Sequence, residues 1–410
     1  MTMEVKKIML FLFVLGIYCM TNAQENNKNG LKVGGFIQTD LEIVQKEGRS
    51  NMGSNPLYDK KRDGADKDYF VRYGVRRGGI RIAYSQKKVT GVFELDLSEG
   101  GLYPKAAVIN VSPNEWIEIN TGLQPIWFGE EVAYPTPKQE VLEHCNLLRN
   151  LFFLDRDIGM KISLKSPINW LTNGLKLDIG FVSGNGINRV SDSKINVVGH
   201  LKYERNMERI YLGVGCSFYS GKVHNMIKEI ITVPPAFVVA TPYQNIFSWE
   251  EKLSRTYFGI DAQCHFNIAS LGTTEIKGEY IWGIQPSQKE SFRSPNNDEY
   301  SNLPNYAFCL KRKFNGGYLY LFQNVGQLPL RLLFKYVWSN PNIDLKSEEK
   351  QFTSDVNCST FGFGCQWNIT KGLHITGIYH VNTNEHCNNL PSYTYDRKDN
   401  NLTLRMQYEF

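Results

Sequence analysis

Beyond residue 23 the chain has no apolar run long enough to cross a membrane as a helix, and its mean hydropathy is −0.35. That excludes a helical membrane protein. It leaves open a β-barrel, where only every second residue of a strand meets lipid. No CxxC pair occurs among the eight cysteines. Seven of them follow residue 23 (Cys145, Cys216, Cys264, Cys309, Cys358, Cys365 and Cys387), an odd number, so neither a dense disulfide framework nor a zinc site has the spacing it needs. One loop pairing, such as Cys358 with Cys387, is left open. His200, His265, His374 and His380 lack the close spacing of metal ligands, so no metal and no cofactor is expected. The pairs Gly78-Gly79 and Gly316-Gly317 follow no strand-to-helix pattern and read as bulges or turns rather than phosphate loops. His386 with Asp396 is the one loose acid–base pairing, and no serine context supports it, so no enzyme is expected. Lys and Arg total 46 against 41 Asp and Glu, a net charge of +5, and no nucleic-acid partner is expected. No linker or low-complexity tract divides the chain.

What is present is an export leader followed by alternation. Lys6 and Lys7, a short apolar run from Ile8 to Met20 and the small residues of Thr21-Asn22-Ala23 read as a signal peptide spanning residues 1–23. Its removal would take away Lys6, Lys7 and Glu4 and lower the net charge from +5 to +4. At the other end, Leu402, Leu404, Met406, Tyr408 and Phe410 fall on one face of a strand, and Thr403, Arg405, Gln407 and Glu409 on the other. A terminal strand that is apolar on one side suits the closing strand of a transmembrane barrel, which leaves no open edge. An edge strand of a soluble sandwich is the alternative for this segment alone.

The same alternation recurs along residues 24–410, which read as one domain. In the second strand Val71, Tyr73 and Val75 alternate with Arg72 and Arg76, with a phase shift near Gly78-Gly79 that returns Arg81 to the inner face. Leu330, Leu332, Phe334, Tyr336 and Trp338 alternate with Arg331 and Lys335 further on. Short and long connections alternate, with Ser98–Leu102 the exception. The long ones are 45–68, 123–154, 184–194, 221–253, 285–315, 339–357 and 383–400. This predicts an all-β, transmembrane, antiparallel up-and-down barrel of about sixteen strands.

The stretch VRRGGIRIAYSQKKVTGVFELDLSEGG (75–101) resembles the early strands of the phosphate-selective porin O and P family. So do WIEINTGLQPIWFGEE (116–131) and RNLFFLDRDIG (149–159), with Asn185-Gly186 and the terminal LTLRMQYEF in the family's order. The resemblance implies a trimeric porin of the outer membrane, and the Asn-Ala-Gln end of the leader resembles those of the Bacteroidetes group. It implies a water-filled channel for passive diffusion of small hydrophilic or charged solutes, anions such as phosphate among them. Implied partners are outer-membrane lipid and lipopolysaccharide, the barrel-assembly machinery, and two further copies of the chain. Tyr408 and Phe410 would form the assembly signal. It also implies that loop 123–154, the third, folds inward to narrow the channel. That loop carries Glu130, Glu131, Glu140 and Glu143, and Arg72, Arg76 and Arg81 line the wall; acid facing base would set a transverse field across the lumen. The alternative is that these groups pair with each other. Inward acidic and basic residues balance, so the wall as a whole makes no anion sink. The competing functions are an adhesive or structural barrel, or an enzymatic one, with a plugged lumen. The apolar middle of loop 221–253 is the candidate plug or latch.

Overall fold

The computed structural model describes residues 30–51, 68–152, 155–167, 173–187, 195–224, 252–268, 270–288, 290–293 and 309–410. The leader, and residues 225–251 within the apolar loop, lie outside the described residues. The strands are β1 (Gly30–Gln45), β2 (Tyr69–Gln86), β3 (Val89–Ser98), β4 (Gly101–Val111), β5 (Ile117–Pro125), β6 (Arg156–Lys165), β7 (Leu175–Val182) and β8 (Asn196–Asn206). They continue as β9 (Ile210–His224), β10 (Lys252–Ile268), β11 (Gly272–Gln288), β12 (Cys309–Asn324), β13 (Leu330–Asn340), β14 (Cys358–Thr370), β15 (Leu373–Asn384) and β16 (Asn401–Glu409). Each pairs with its neighbours in sequence, and β16 closes onto β1. Closure satisfies every strand's hydrogen-bonding row, the condition for crossing hydrocarbon with strands.

The seam shows how the terminal sequence achieves this. Leu41 faces Leu404 and Ile43 faces Leu402, while Asp40 meets Arg405 on the inside. Phe410 and Gly35 exchange backbone hydrogen bonds of 2.9 Å. A Cβ on Gly35 would lie 2.7 Å from the Phe410 ring and 2.6 Å from the Gly79 carbonyl, so only glycine lets the last aromatic ring lie over the seam. The outward face is largely apolar and exposed, from Val71, Tyr73 and Val75 to Phe361, Phe363, Met406 and Tyr408. So much exposed apolar surface fits lipid and would aggregate in water.

Three features depart from the sequence reading, and a fourth bears on a pairing it left open. The bulge in β2 falls at Arg76 rather than at Gly78-Gly79, because Gln38 pairs with Arg77 and Thr39 with Val75. Arg77 therefore joins Arg76 on the inner face. A second bulge, at Lys105 in β4, lies beside Pro104, which has no N–H to give to a ladder. β12 begins at Cys309 rather than Gly316. Its outer third carries Lys311 and Lys313 outward and Leu310 and Phe314 inward, the reverse of the usual pattern. Finally, Cys358 and Cys387 are both free; Cys387 packs with Val356 and Leu390 in a small core under the rim loops.

Those rim loops are tied together. Arg312 and Asp355, both fully buried, pair at 2.6 Å and fix loop 341–357 to β12. Arg397 donates to the Glu47 carbonyl at 2.7 Å, joining the last loop to the first.

Candidate functional site: the third loop across the lumen

The connection from β5 to β6 turns into the barrel. Its sequence explains why it stays there. Ile126, Trp127, Phe128, Val132, Val141 and Leu142 are buried, as are Leu147, Leu148 and Leu151 of a short helix, α1 (Asn146–Leu151). They pack on inward residues of β9 to β13: Tyr219, Tyr257, Ile281, Phe314, Tyr318, Tyr320, Phe322, Leu333 and Val337. Apolar side chains therefore share the inner wall on this side with the charged ones that alternation predicted, such as Lys277, Glu279 and Lys335. Phe128 sits between Phe152 and Tyr257, with ring centroids 5.1 and 6.3 Å away. Each such side chain contributes about 1.5–3 kcal/mol on burial. Gly129 makes the turn into this core at φ +64°, where a Cβ would lie 1.9 Å from the Glu279 carboxylate.

Charged groups fix the rest of the loop, and all four of its predicted glutamates are engaged. Lys202 of β8 holds Glu130 at 2.7 Å. Glu131 accepts from Tyr320 Oη at 2.9 Å and from the Cys145 N–H at 3.1 Å. Lys277 of β11 holds both oxygens of Glu140, at 2.9 and 3.0 Å. Glu143 lies within 2.9 Å of three guanidiniums: Arg76 and Arg77 of β2 and Arg405 of β16. Arg405 also forks onto Asp40 at 2.8 Å and donates to the Leu142 carbonyl. The loop thus reaches from the β8–β13 wall to the β16–β1–β2 wall. Acid and base do not face each other across open water; they bond directly, so the expected transverse field is largely neutralised at these points.

Burial alone would raise the Glu143 carboxyl, but Arg77, Arg76 and Arg405 hold it well below the usual range. Burial and the nearby Glu275 carboxylate hold Glu140 above its ordinary value despite Lys277. Burial opposes a charge on His144, yet Asp155 and Glu131, 3.3 and 3.6 Å away, raise it to about 9. His144 thereby ties the start of the loop to its end, where Asp155 adopts φ 59°.

Of the three predicted arginines, Arg76 grips the loop. Arg72 pairs with Glu99 in the tight turn between β3 and β4. Arg81 remains the most open, with 56% of its side chain exposed and Glu94 4.0 Å away. Sequence reasoning missed Arg77, Lys105, Arg156 and the loop-clamping role of Arg405. Lys105 lies 3.8 Å from Asp96, and Arg156 is buried with no partner at its Nε. The Arg76-Arg77 pair and Pro104 were the available signals, since each marks a place where strict alternation fails. Among the described residues no three His, Cys, Asp or Glu side chains are placed to hold a metal ion. Asp396 accepts from the Asn384 N–H at 3.0 Å.

No protein-family model matches the sequence, and no curated protein matches it. Solved structures do. The outer membrane channel DcaP of Acinetobacter baumannii superposes with a TM-score of 0.58 at 11% identity, over 93% of this chain and 97% of that one. The anion-selective porin from Comamonas acidovorans gives 0.53 at 12%, over 93% and 100%. OmpT of Vibrio cholerae, an outer membrane protein in its trimer form, gives 0.51 at 12%, over 94% and 100%. At these identities the likeness is one of fold: a sixteen-stranded porin-like barrel.

Proposed function

We propose that the chain is an outer-membrane porin of the phosphate-selective O and P type, exported by residues 1–23 and assembled as a trimer. Its activity is passive diffusion of small hydrophilic solutes past the third loop. The observation that carries this reading is the loop itself: a segment anchored on both sides of a closed barrel, beside an inner wall that remains charged and partly solvated. On this reading the passage runs along β2 to β4, where 56% of the Arg81 side chain is exposed. Around it Arg76, Arg77, Arg81, Lys105, Arg156 and Arg405 stand against Asp40, Glu94, Asp96, Glu143 and Asp155, an excess of one. This local excess favours anions, phosphate among them, although the wall as a whole is balanced. The anion selectivity and trimer form named for two of the similar structures accord with it. Tyr408 and Phe410 serve as the assembly signal, and lipopolysaccharide and the barrel-assembly machinery are the partners of such a chain.

The second reading, a barrel with an adhesive or structural role, draws on the apolar core that the third loop builds against β9 to β13 inside the barrel. Planar-bilayer recording separates the two: ion-conducting steps with an anion-signed reversal potential support the porin, and silence from folded protein supports the plugged barrel.

A further inference from the structure

The lipid-facing side of β12 is unlike its neighbours. It presents Lys313, Asn315 and Gly317 between aromatic columns on β11 and β13. A Cβ on Gly317 would lie 2.9 Å from the Trp338 indole. The bare backbone there lets Tyr280 and Trp338 stack across the strand, with centroids 6.3 Å apart and planes at 21°. Phe258 and Trp282 stack at 6.0 Å, and Tyr280 and Trp282 at 5.5 Å.

Beside these rings lies a cavity of about 340 Å³, open on one side. Phe258, Trp282, Ile284 and Ile343 wall it, Thr256 and Asn315 add polar groups, and Lys313 stands at the end nearer the long loops. Ile343 is fixed there by its N–H on the Lys313 carbonyl at 2.9 Å. The Lys313 side chain is 58% exposed and touches Asp344 at 3.3 Å, a surface pairing of little strength. A wall that only had to meet fluid lipid would need no cavity, no asparagine and no lysine. A lysine on the lipid face is tolerated near the interface, where its stem lies along apolar surface and its ammonium reaches polar headgroups.

We propose that this groove binds the phosphorylated, acylated glycolipid of the outer leaflet, with one acyl chain between Phe258, Trp282 and Ile343 and a phosphate on Lys313. The long-loop end of a barrel faces the outer leaflet. The aromatic planes suit a methylene chain. Asn315 and Thr256 suit the ester, amide and hydroxyl groups where chains join the sugar. The ammonium suits the phosphate. The inference rests on the outer-membrane reading above.

The test is native mass spectrometry of detergent-solubilised protein titrated with lipid A, with lipid A lacking its phosphates, and with phosphatidylglycerol. Wild-type protein should retain lipid A. Removing the phosphates, or the substitution Lys313→Glu, should weaken retention about tenfold or more, the scale of a charge-assisted hydrogen bond. Asn315→Trp, which fills the groove, should weaken it similarly. Equal retention by wild type and both variants overturns the proposal, as does phosphatidylglycerol binding as well as lipid A. Both substitutions lie outside the lumen, so conductance recorded on the same preparations shows that each variant is folded. A conducting barrel that does not prefer lipid A defeats this inference alone; a silent one that retains lipid A defeats the channel reading alone.

Discussion

Replacing Glu143 with glutamine removes one negative charge from the third loop inside the barrel while keeping the side chain's shape. Arg76 and Arg77 then lose their shared counter-charge, whereas Arg405 keeps Asp40. Breaking a buried pair from one side costs about 3–5 kcal/mol. The apolar anchors Phe128, Leu147, Leu148 and Leu151 contribute about 6–12 kcal/mol together at ~1.5–3 each. The loop should therefore remain docked, and single-channel conductance should change little. Selectivity should change more. One unit charge acting at ~4 Å through water is worth about 1 kcal/mol, roughly a fivefold change in the local ratio of anions to cations. Screening over ~8 Å at physiological salt reduces this to about threefold. The assay is the reversal potential under a salt gradient, which should move toward anions. An unchanged potential, or a shift toward cations, would refute the placement of Glu143 beside the permeation path.

Leu147→Ala should weaken loop docking by about 2–5 kcal/mol, since Leu147 is fully buried, and should give larger or noisier conductance from an intact barrel. Neutralising Arg72, Arg76 and Arg81 together should move the reversal potential toward cations; no shift in ion selectivity would remove the role assigned to them. The His144 contribution follows from its raised value. The docked loop holds the proton to about pH 9 and an undocked loop releases it near 6.5, so the stabilisation is complete below pH 6.5 and gone above about 9. Its size is about 3 kcal/mol. Channel noise in wild type should therefore rise between pH 7 and 10, and His144→Gln should show that noise at both pH values.

The sixteen strands were legible because lipid imposes a strict demand on every second residue. Val71, Tyr73 and Val75 or Phe361 and Phe363 have no other reason to alternate as they do. The inner face carries no such constraint. Tyr257, Phe314 and Tyr320 look like ordinary strand residues until the third loop's Phe128 and Leu148 are laid against them. That contact joins parts of the chain more than a hundred residues apart and leaves no local period. The four glutamates of the loop were readable as a set, but their partners were not. Arg405 and Lys277 are two inward positions among many, and only the register of closure brings Arg405 to Glu143. Arg77 was hidden for a more local reason: a bulge moves by two residues at no cost to the composition of the strand, and the side chain between its two positions changes face.

On the proposed reading, a docked third loop leaves a conducting path along the arginine side of the barrel. Single-channel recording of the purified protein in planar bilayers, under a salt gradient, tests it most directly. Discrete small steps with a reversal potential on the anion side are expected. Folded, heat-stable barrels that insert and stay silent, or steps with a cation-signed potential, would contradict it.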